Sequence, residues 1–333
     1  MYCPRLDHFV RFNEDGTIST CGHMTSAQRF PSVKDMRNSS WLKKIKQQLS
    51  RDQWPLECHR CQQTEKLNGS SIRLNAIKLD ESESFKEYLQ IGGVLDNICN
   101  AACQMCSEKL STKIGSLTSP NQYPKVNNYS RFQELPQHQI MYLDINGGEP
   151  SASKNYKHLL DNLPPNLKSL RVNTNCGLMI PKLKEIGAIG IEVTVTVSFD
   201  GIEKVHDYVR WPIKWNKFYK NLMNYRSYGL FDLNLWTTVS ALNINDLENI
   251  FNFVSQHAFH HSFAMLNNPS PLNICYSNVL TRRAKEKYAQ STNPQLNKLS
   301  EIIASDKHNQ TELDAYIAQQ DLLRNICITD FIN

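Results

Sequence analysis

No apolar run in this chain is long enough to span a bilayer, which excludes a helical membrane protein. The first residues, Met1-Tyr2-Cys3-Pro4-Arg5, lack the basic-then-apolar pattern of a secretory signal. Basic side chains form no concentrated stripe. The one dense run, Arg282-Arg283-Ala284-Lys285-Glu286-Lys287, reads as a solvated helix face, and the formal net charge is only +5. That balance permits an anionic or nucleic-acid partner without arguing for one. No Gly-Lys-Ser/Thr ending follows a glycine-rich turn, so a phosphate loop is excluded as well. What the chain does have is ten cysteines in 333 residues. Without an export signal these read as metal ligands or reactive groups, not as a disulfide scaffold, and the expected location is the cytoplasm. The length suits one large domain or two smaller ones.

The cysteines fall into two groups. In the first, residues 8–12 and 17–20 read as short strands joined by the turn formers Asn13-Glu14-Asp15-Gly16. Cys3 precedes this hairpin and Cys21 follows it, so folding brings the two together. A helix is expected from Ser32, capped with Asp35, and a second over 40–51, with Leu42, Ile45 and Leu49 on one face. Pro55 ends it, and Cys58-His59-Arg60-Cys61 follows. Four thiols suit zinc or an iron–sulfur cluster, and spacing alone does not choose between them. His23 and His59 read as surface residues rather than alternative ligands. Residues 65–84 are polar and lack a long apolar period, as expected of a linker; Glu65, Gly69, Ser71 and Arg73 are candidates to bridge what lies on either side.

From residue 85 the pattern becomes strands alternating with helices. Strands are expected over 85–98 (with some helix before the strand proper), 140–146, 169–175, 191–199, 232–239 and 261–267. Helices are expected over 156–163, 181–186, 215–228 and 244–256. Such β-then-α units argue for an α/β fold, a partial (β/α)6 TIM-like barrel over 85–268, preceded by a small cysteine-rich α+β unit over 1–64. Residues 269–333 turn helical and are expected to close the barrel, with Leu313, Ile317, Leu322, Leu323 and Ile326 facing its core.

Function in such barrels gathers in the loops at the carboxyl ends of the strands. After the first strand comes Cys99-Asn100-Ala101-Ala102-Cys103-Gln104-Met105-Cys106. A four-iron cluster has four corners, so three thiolates leave one iron open; a structural zinc loop with its fourth ligand elsewhere is the alternative. After the second strand comes Gly147-Gly148-Glu149-Pro150, whose glycines expose backbone and whose carboxylate suits a cation. Asn173-Thr174-Asn175-Cys176 follows the third, and Ser198-Phe199-Asp200-Gly201 the fourth. Cys176 is more readily a small apolar side chain in the barrel mouth than a hydrogen-atom donor or an extra ligand.

These motifs together resemble the radical S-adenosylmethionine (SAM) enzymes. The C-x-x-x-C-x-x-C loop matches the superfamily's defining spacing, Gly-Gly-Glu-Pro its methionine-binding motif, and Ser-Phe-Asp-Gly the members carrying SPASM or twitch domains. The N-terminal unit is similar to a twitch domain placed before the barrel instead of after it. The resemblance implies that Cys99, Cys103 and Cys106 hold a [4Fe-4S] cluster that chelates S-adenosylmethionine. It further implies that Met105 packs against the adenine, that Gly147, Gly148 and Glu149 meet the methionyl ammonium, and that Ser198 contacts the ribose or methionyl part. Arg210 is expected to pair with the methionyl carboxylate or to form a salt bridge on the barrel rim. Cys3, Cys21, Cys58 and Cys61 would hold an auxiliary cluster, again of the four-iron type, suited to electron transfer. The implied partners are a reducing protein such as flavodoxin or ferredoxin and a peptide or other polar metabolite as substrate. A nucleoside or nucleotide substrate is the alternative within this class. A zinc- or cluster-containing nucleic-acid-binding protein is the alternative outside it.

Overall fold

Along residues 192–198 valine alternates with hydroxyl residues, and Val193, Val195 and Val197 are buried while Thr196 and Ser198 are only partly so. The same two-residue period recurs down the chain and builds one eight-stranded sheet. In the computed structural model, which describes residues 1–332, its strands are β1 (Phe9–Phe12), β2 (Ile18–Ser19), β3 (Leu89–Val94), β4 (Ile140–Asn146), β5 (Ser169–Thr174), β6 (Glu192–Ser198), β7 (Asp232–Val239) and β8 (His260–Met265). Asn333, the last residue of the segment expected over 269–333, lies outside the described residues. The order across the sheet is β2-β1-β3-β4-β5-β6-β7-β8. Every pairing is parallel except β1 with β2. Sequential parallel strands with helices between them form the open α/β barrel expected from residue 85 onward.

Several boundaries differ from expectation. The stretch 85–98 is strand only over Leu89–Val94, and the helix before it, Ile72–Ser82, lies wholly upstream of residue 85. The N-terminal hairpin does not stand apart: β1 continues the sheet by pairing in parallel with β3. Glycine makes that docking possible. Gly93 has φ +92°, and a Cβ there would sit 2.1 Å from the Phe12 carbonyl oxygen. Residues 65–84, expected to be a linker, carry the last turn of the helix His59–Asn68 and the whole of the helix Ile72–Ser82. They lack an apolar stripe because polar contacts fasten them. Glu65 accepts from Ser71 Oγ at 2.6 Å and Arg73 Nε at 2.9 Å, while Arg73 Nη1 reaches the Tyr2 carbonyl at 3.0 Å.

The helices Lys154–Asp161, Trp215–Tyr228 and Leu247–Gln256 pack their apolar faces on the sheet. Near the C-terminus, the helix Gln310–Arg324 buries Leu313, Asp321 and Arg324. Leu322, expected in the core, is instead 83% exposed. The inward face advances through 313, 317, 321 and 324, and residue 322 falls on the other side.

Candidate functional site

The polypeptide leaving β3 is fixed before it reaches the first cysteine. Asn97 Oδ1 accepts from the Val126 amide at 3.0 Å, and Ile98 N–H donates to Asp96 Oδ1 at 3.1 Å. Cys99 N–H donates to Thr112 Oγ1 at 3.1 Å. The loop then pairs with residues 209–211, Ala102 N–H donating to the Trp211 carbonyl and Gln104 N–H to that of Val209. From the C-terminal helix, Tyr316 Oη donates to the Gln104 carbonyl at 2.6 Å and Arg324 Nε to that of Ala102 at 2.8 Å. Nothing local in the sequence marked Tyr316 or Arg324.

All nine residues expected at the first site border one cavity of about 690 Å³: Cys99, Cys103, Met105, Cys106, Gly147, Gly148, Glu149, Ser198 and Arg210. Thr238, at the end of β7, and Asn268 and Pro269, after β8, complete the wall. No disulfide joins the three thiols. Burial and the neighbouring Cys103 push the Cys99 thiol up, and the same two causes carry Cys106 to about 12. Ligation would therefore release protons. The Ala101 amide lies 3.4 Å from Cys99 Sγ, donating toward it.

Opposite the thiols, β4 runs into Gly147 and Gly148. A Cβ on Gly148 (φ +56°) would sit 2.3 Å from the Ile98 carbonyl oxygen, so glycine lets this loop lie against the cysteine loop. Glu149 N–H donates to that same oxygen at 2.7 Å. The Glu149 carboxylate is almost wholly buried. Its Oε1 accepts from Ser151 N–H, Ser151 Oγ and Thr174 Oγ1, and its Oε2 from the Asn175 amide at 2.6 Å. Burial raises its pKa against these four donors. Oε2, with one donor, retains capacity for a cation.

Arg210 is not at an exposed rim. Its Nη2 forms an ion pair with the fully buried Asp200, and its Nη1 points at Cys103 Sγ at 3.5 Å. Beyond this ion pair Asp200 Oδ2 has no hydrogen-bond partner, and Arg210 Nε has none. Burial disfavours the guanidinium, but Asp200 and Cys103 outweigh it and hold the pKa above the usual arginine value. Asp200 Oδ1 accepts from the Thr238 amide at 2.6 Å.

Cys3, Cys21, Cys58 and Cys61 are brought together separately, around a cavity of about 20 Å³. Burial first and neighbouring thiols second push Cys3 and Cys58 to about 12. Four free thiols bordering one small cavity are the ligand type of zinc and of iron–sulfur clusters. Among the described residues no group of three or more His, Cys, Asp or Glu is placed to hold a single metal ion. Cys176 borders neither cavity. It is fully buried, and its Sγ lies 3.9 Å from the Phe218 carbonyl, consistent with a small core side chain.

No family model matches the chain. It is 25% identical over 151 residues to the mycofactocin maturase MftC of Mycolicibacterium smegmatis, covering 45% of this chain and 37% of that one. It is 22% identical over 160 residues to the MftC of Mycobacterium tuberculosis, covering 48% and 40%. The match thus spans less than half the length of either relative. Among solved structures, anSMEcpe with bound AdoMet and Kp18Cys peptide overlaps with TM-score 0.43 and 14% identity, over 72% of this chain and 62% of that one. Streptococcus suis SuiB bound to S-adenosylmethionine overlaps with TM-score 0.44 and 13% identity, over 95% and 70%. The motifs on this cavity resemble those of radical S-adenosylmethionine enzymes, and the curated proteins to which the chain is similar are mycofactocin maturases.

Proposed function

We propose that this chain is a radical S-adenosylmethionine enzyme that abstracts hydrogen from a peptide or another polar metabolite. One observation carries the reading. Three free thiols after β3, the Gly147–Gly148–Glu149 turn after β4, and Ser198 and Arg210 at and after the end of β6 meet on a single cavity at the carboxyl ends of parallel strands. The cavity's volume lies within the range of cofactor sites.

Cys99, Cys103 and Cys106 would hold a four-iron, four-sulfur cluster, and Met105, Gly147, Gly148, Glu149, Ser198 and Arg210 would hold S-adenosylmethionine. Held there and given one electron by a partner such as flavodoxin or ferredoxin, the two groups would supply reductive cleavage of S-adenosylmethionine to methionine and a hydrogen-abstracting 5′-deoxyadenosyl radical. Glu149 Oε2 would accept from the ammonium group, and the two glycines would let the ligand approach the backbone. Arg210 Nη1, 3.5 Å from Cys103 Sγ, would offset the negative charge of that sulfur once it ligates a cluster. Met105 supplies the apolar surface. The C-terminal helix walls the cavity through Tyr316 and Leu323 and helps keep water out. Residues 1–64 would carry the auxiliary cluster on Cys3, Cys21, Cys58 and Cys61, residues 85–268 the catalytic barrel, and 269–333 its closure. Four thiols would fill every corner of that second cluster, which would favour electron transfer over substrate binding. The relatives are named maturases, which supports a precursor molecule as substrate.

The test is anaerobic reconstitution followed by metal and sulfide analysis. The expected content is about eight irons per chain, from two four-iron clusters. Zinc without iron would sink the reading. Dithionite with S-adenosylmethionine should then yield 5′-deoxyadenosine in the wild type and none in Cys103→Ala.

A further inference from the structure

The concave face of the sheet is polar, which is unusual. Barrel interiors are ordinarily filled by bulky branched side chains. Here the side chains on that face come in cross-strand rows. Asp144, Arg171, Thr194 and Asp232 are register partners across β4, β5, β6 and β7. One level nearer the strands' carboxyl ends, Asn173, Thr196, Asn234 and His260 are partners across β5 to β8. Above them Ser198, Trp236 and Ser262 are partners across β6 to β8. These rows border a second cavity of about 730 Å³, touching β4 through β8, so the sheet curls around it.

This trough leads somewhere at both ends. Asn146, Asn173 and Ser198 border both it and the three-cysteine cavity. His23 borders both it and the four-cysteine cavity. A molecule lying in the trough would therefore reach between the two thiol sites.

Its charges are unequal in their commitments. Arg171 is paired with Asp144 at 3.8 Å. Asp232, exposed at the start of β7, has no cationic partner among the described residues. It stands two strands from Arg171, roughly 10 Å away at the backbone, and the Arg171 guanidinium is turned to Asp144 instead. Four residues along β7, roughly 13 Å away, Trp236 offers a 37% exposed ring. The amides and hydroxyls between them both donate and accept, as the backbone of an extended peptide requires.

We propose that the trough is the substrate site and takes an extended basic peptide segment. A cationic group sits on Asp232, an apolar or aromatic side chain lies on Trp236, and the reacting residue reaches the level of Ser198. This deepens the proposed function and rests on it for the word substrate. The spacing sets the cation about four extended residues from the reacting position.

Three pools of end-blocked synthetic hexapeptides test it, with Lys, Glu or Leu fixed at the first position and the rest randomised. Each pool is passed over the immobilised, anaerobically reconstituted full chain. The Lys pool should be retained about threefold over the Glu pool, the scale of one exposed ion pair. Asp232→Asn should remove the preference, Asp232→Lys should reverse it, and Trp236→Ala should weaken retention of all pools. Equal retention of the Lys and Glu pools overturns the proposal. So does a preference surviving Asp232→Asn, unchanged retention by Trp236→Ala, or retention of a nucleoside mixture above every peptide pool. Binding needs no radical chemistry, so the two readings fail separately. A wild type that prefers Lys but makes no 5′-deoxyadenosine sinks the enzymatic reading alone, and the converse result sinks the trough assignment alone.

Discussion

Arg324 donates through Nη2 to the carbonyl oxygen of Cys103 at 3.3 Å, across 221 residues of chain. With Nε on the Ala102 carbonyl, one guanidinium holds two successive peptide units of the cysteine loop. Arg324→Gln would leave both carbonyls short of a buried partner. The expected loss is about 2 kcal/mol of stability, with weaker retention of the three-thiol cluster. Arg324→Lys should not rescue it, because an ammonium cannot span both carbonyls as a planar fork does. Thermal melting and iron content after reconstitution read both effects. A wild-type melting point in Arg324→Gln would show that the clamp is incidental.

The Asp200–Arg210 pair makes a second prediction through its burial. Removing one partner of a buried pair leaves an uncompensated charge, at about 3–5 kcal/mol. Asp200→Asn alone should therefore be severely destabilised. The double variant Asp200→Asn, Arg210→Met should recover part of the loss, since it no longer buries a lone cation. Urea midpoints of the two single variants and the double give the coupling. Simple additivity would mean that the two side chains do not act as a pair.

These long-range partners mark where the sequence stops being informative. The strands of the barrel were legible because each is long enough to display a two-residue period, and β4 and β7 have the expected bounds. The motif loops were legible because each follows such a strand. The docking of β1 on β3 was not. It depends on a backbone approach at Gly93, and a glycine in a strand announces many things. The helices around Arg73 were hidden because hydrogen bonds and caps, not an apolar stripe, hold them. Leu322 misled because leucines were read as inward when the inward turn of that helix belongs to Asp321 and Arg324. Tyr208 Oη donates to Asp321 at 2.8 Å, which gives that buried carboxylate its reason.

Glu83 supplies a pH-dependent test of how the N-terminal helices are fastened to the sheet. It accepts from Tyr142 Oη at 2.7 Å and from Lys168 Nζ at 2.8 Å. Burial pushes its carboxyl up, but Lys168, Tyr142 and the Phe85 amide outweigh that and hold it at about 2. The folded-state pKa is thus depressed below the unfolded value of about 4.3. The contribution is present in full above that value and is lost as pH falls toward 2. Glu83→Gln should cost about 2 kcal/mol at pH 7. The gap between variant and wild type should narrow steadily below pH 4. Urea midpoints that differ equally at pH 7 and pH 3 would contradict the assignment.

His206 gives the opposite kind of test, a group whose burial opposes its charge. Its ring is fully buried, 4.3 Å from the Phe218 ring and edge-on to Trp215 at 5.6 Å, and neither ring nitrogen has a hydrogen-bond partner. Burial, with the Arg210 charge second, depresses its pKa to about 3. In the unfolded chain the same imidazole takes a proton near pH 6.5. Between those values the unfolded state binds one more proton, so stability falls by about 1.4 kcal/mol for each pH unit below 6.5. His206→Phe removes the titrating group and keeps an aromatic ring in the cluster. At pH 7.5 the two proteins should differ by less than about 1.5 kcal/mol, the usual range for a volume-conserving swap. From pH 7.5 to pH 5 the wild type should lose about 2 kcal/mol relative to the variant. Parallel pH profiles for the two proteins would mean that this histidine is charged, or solvated, in the folded chain.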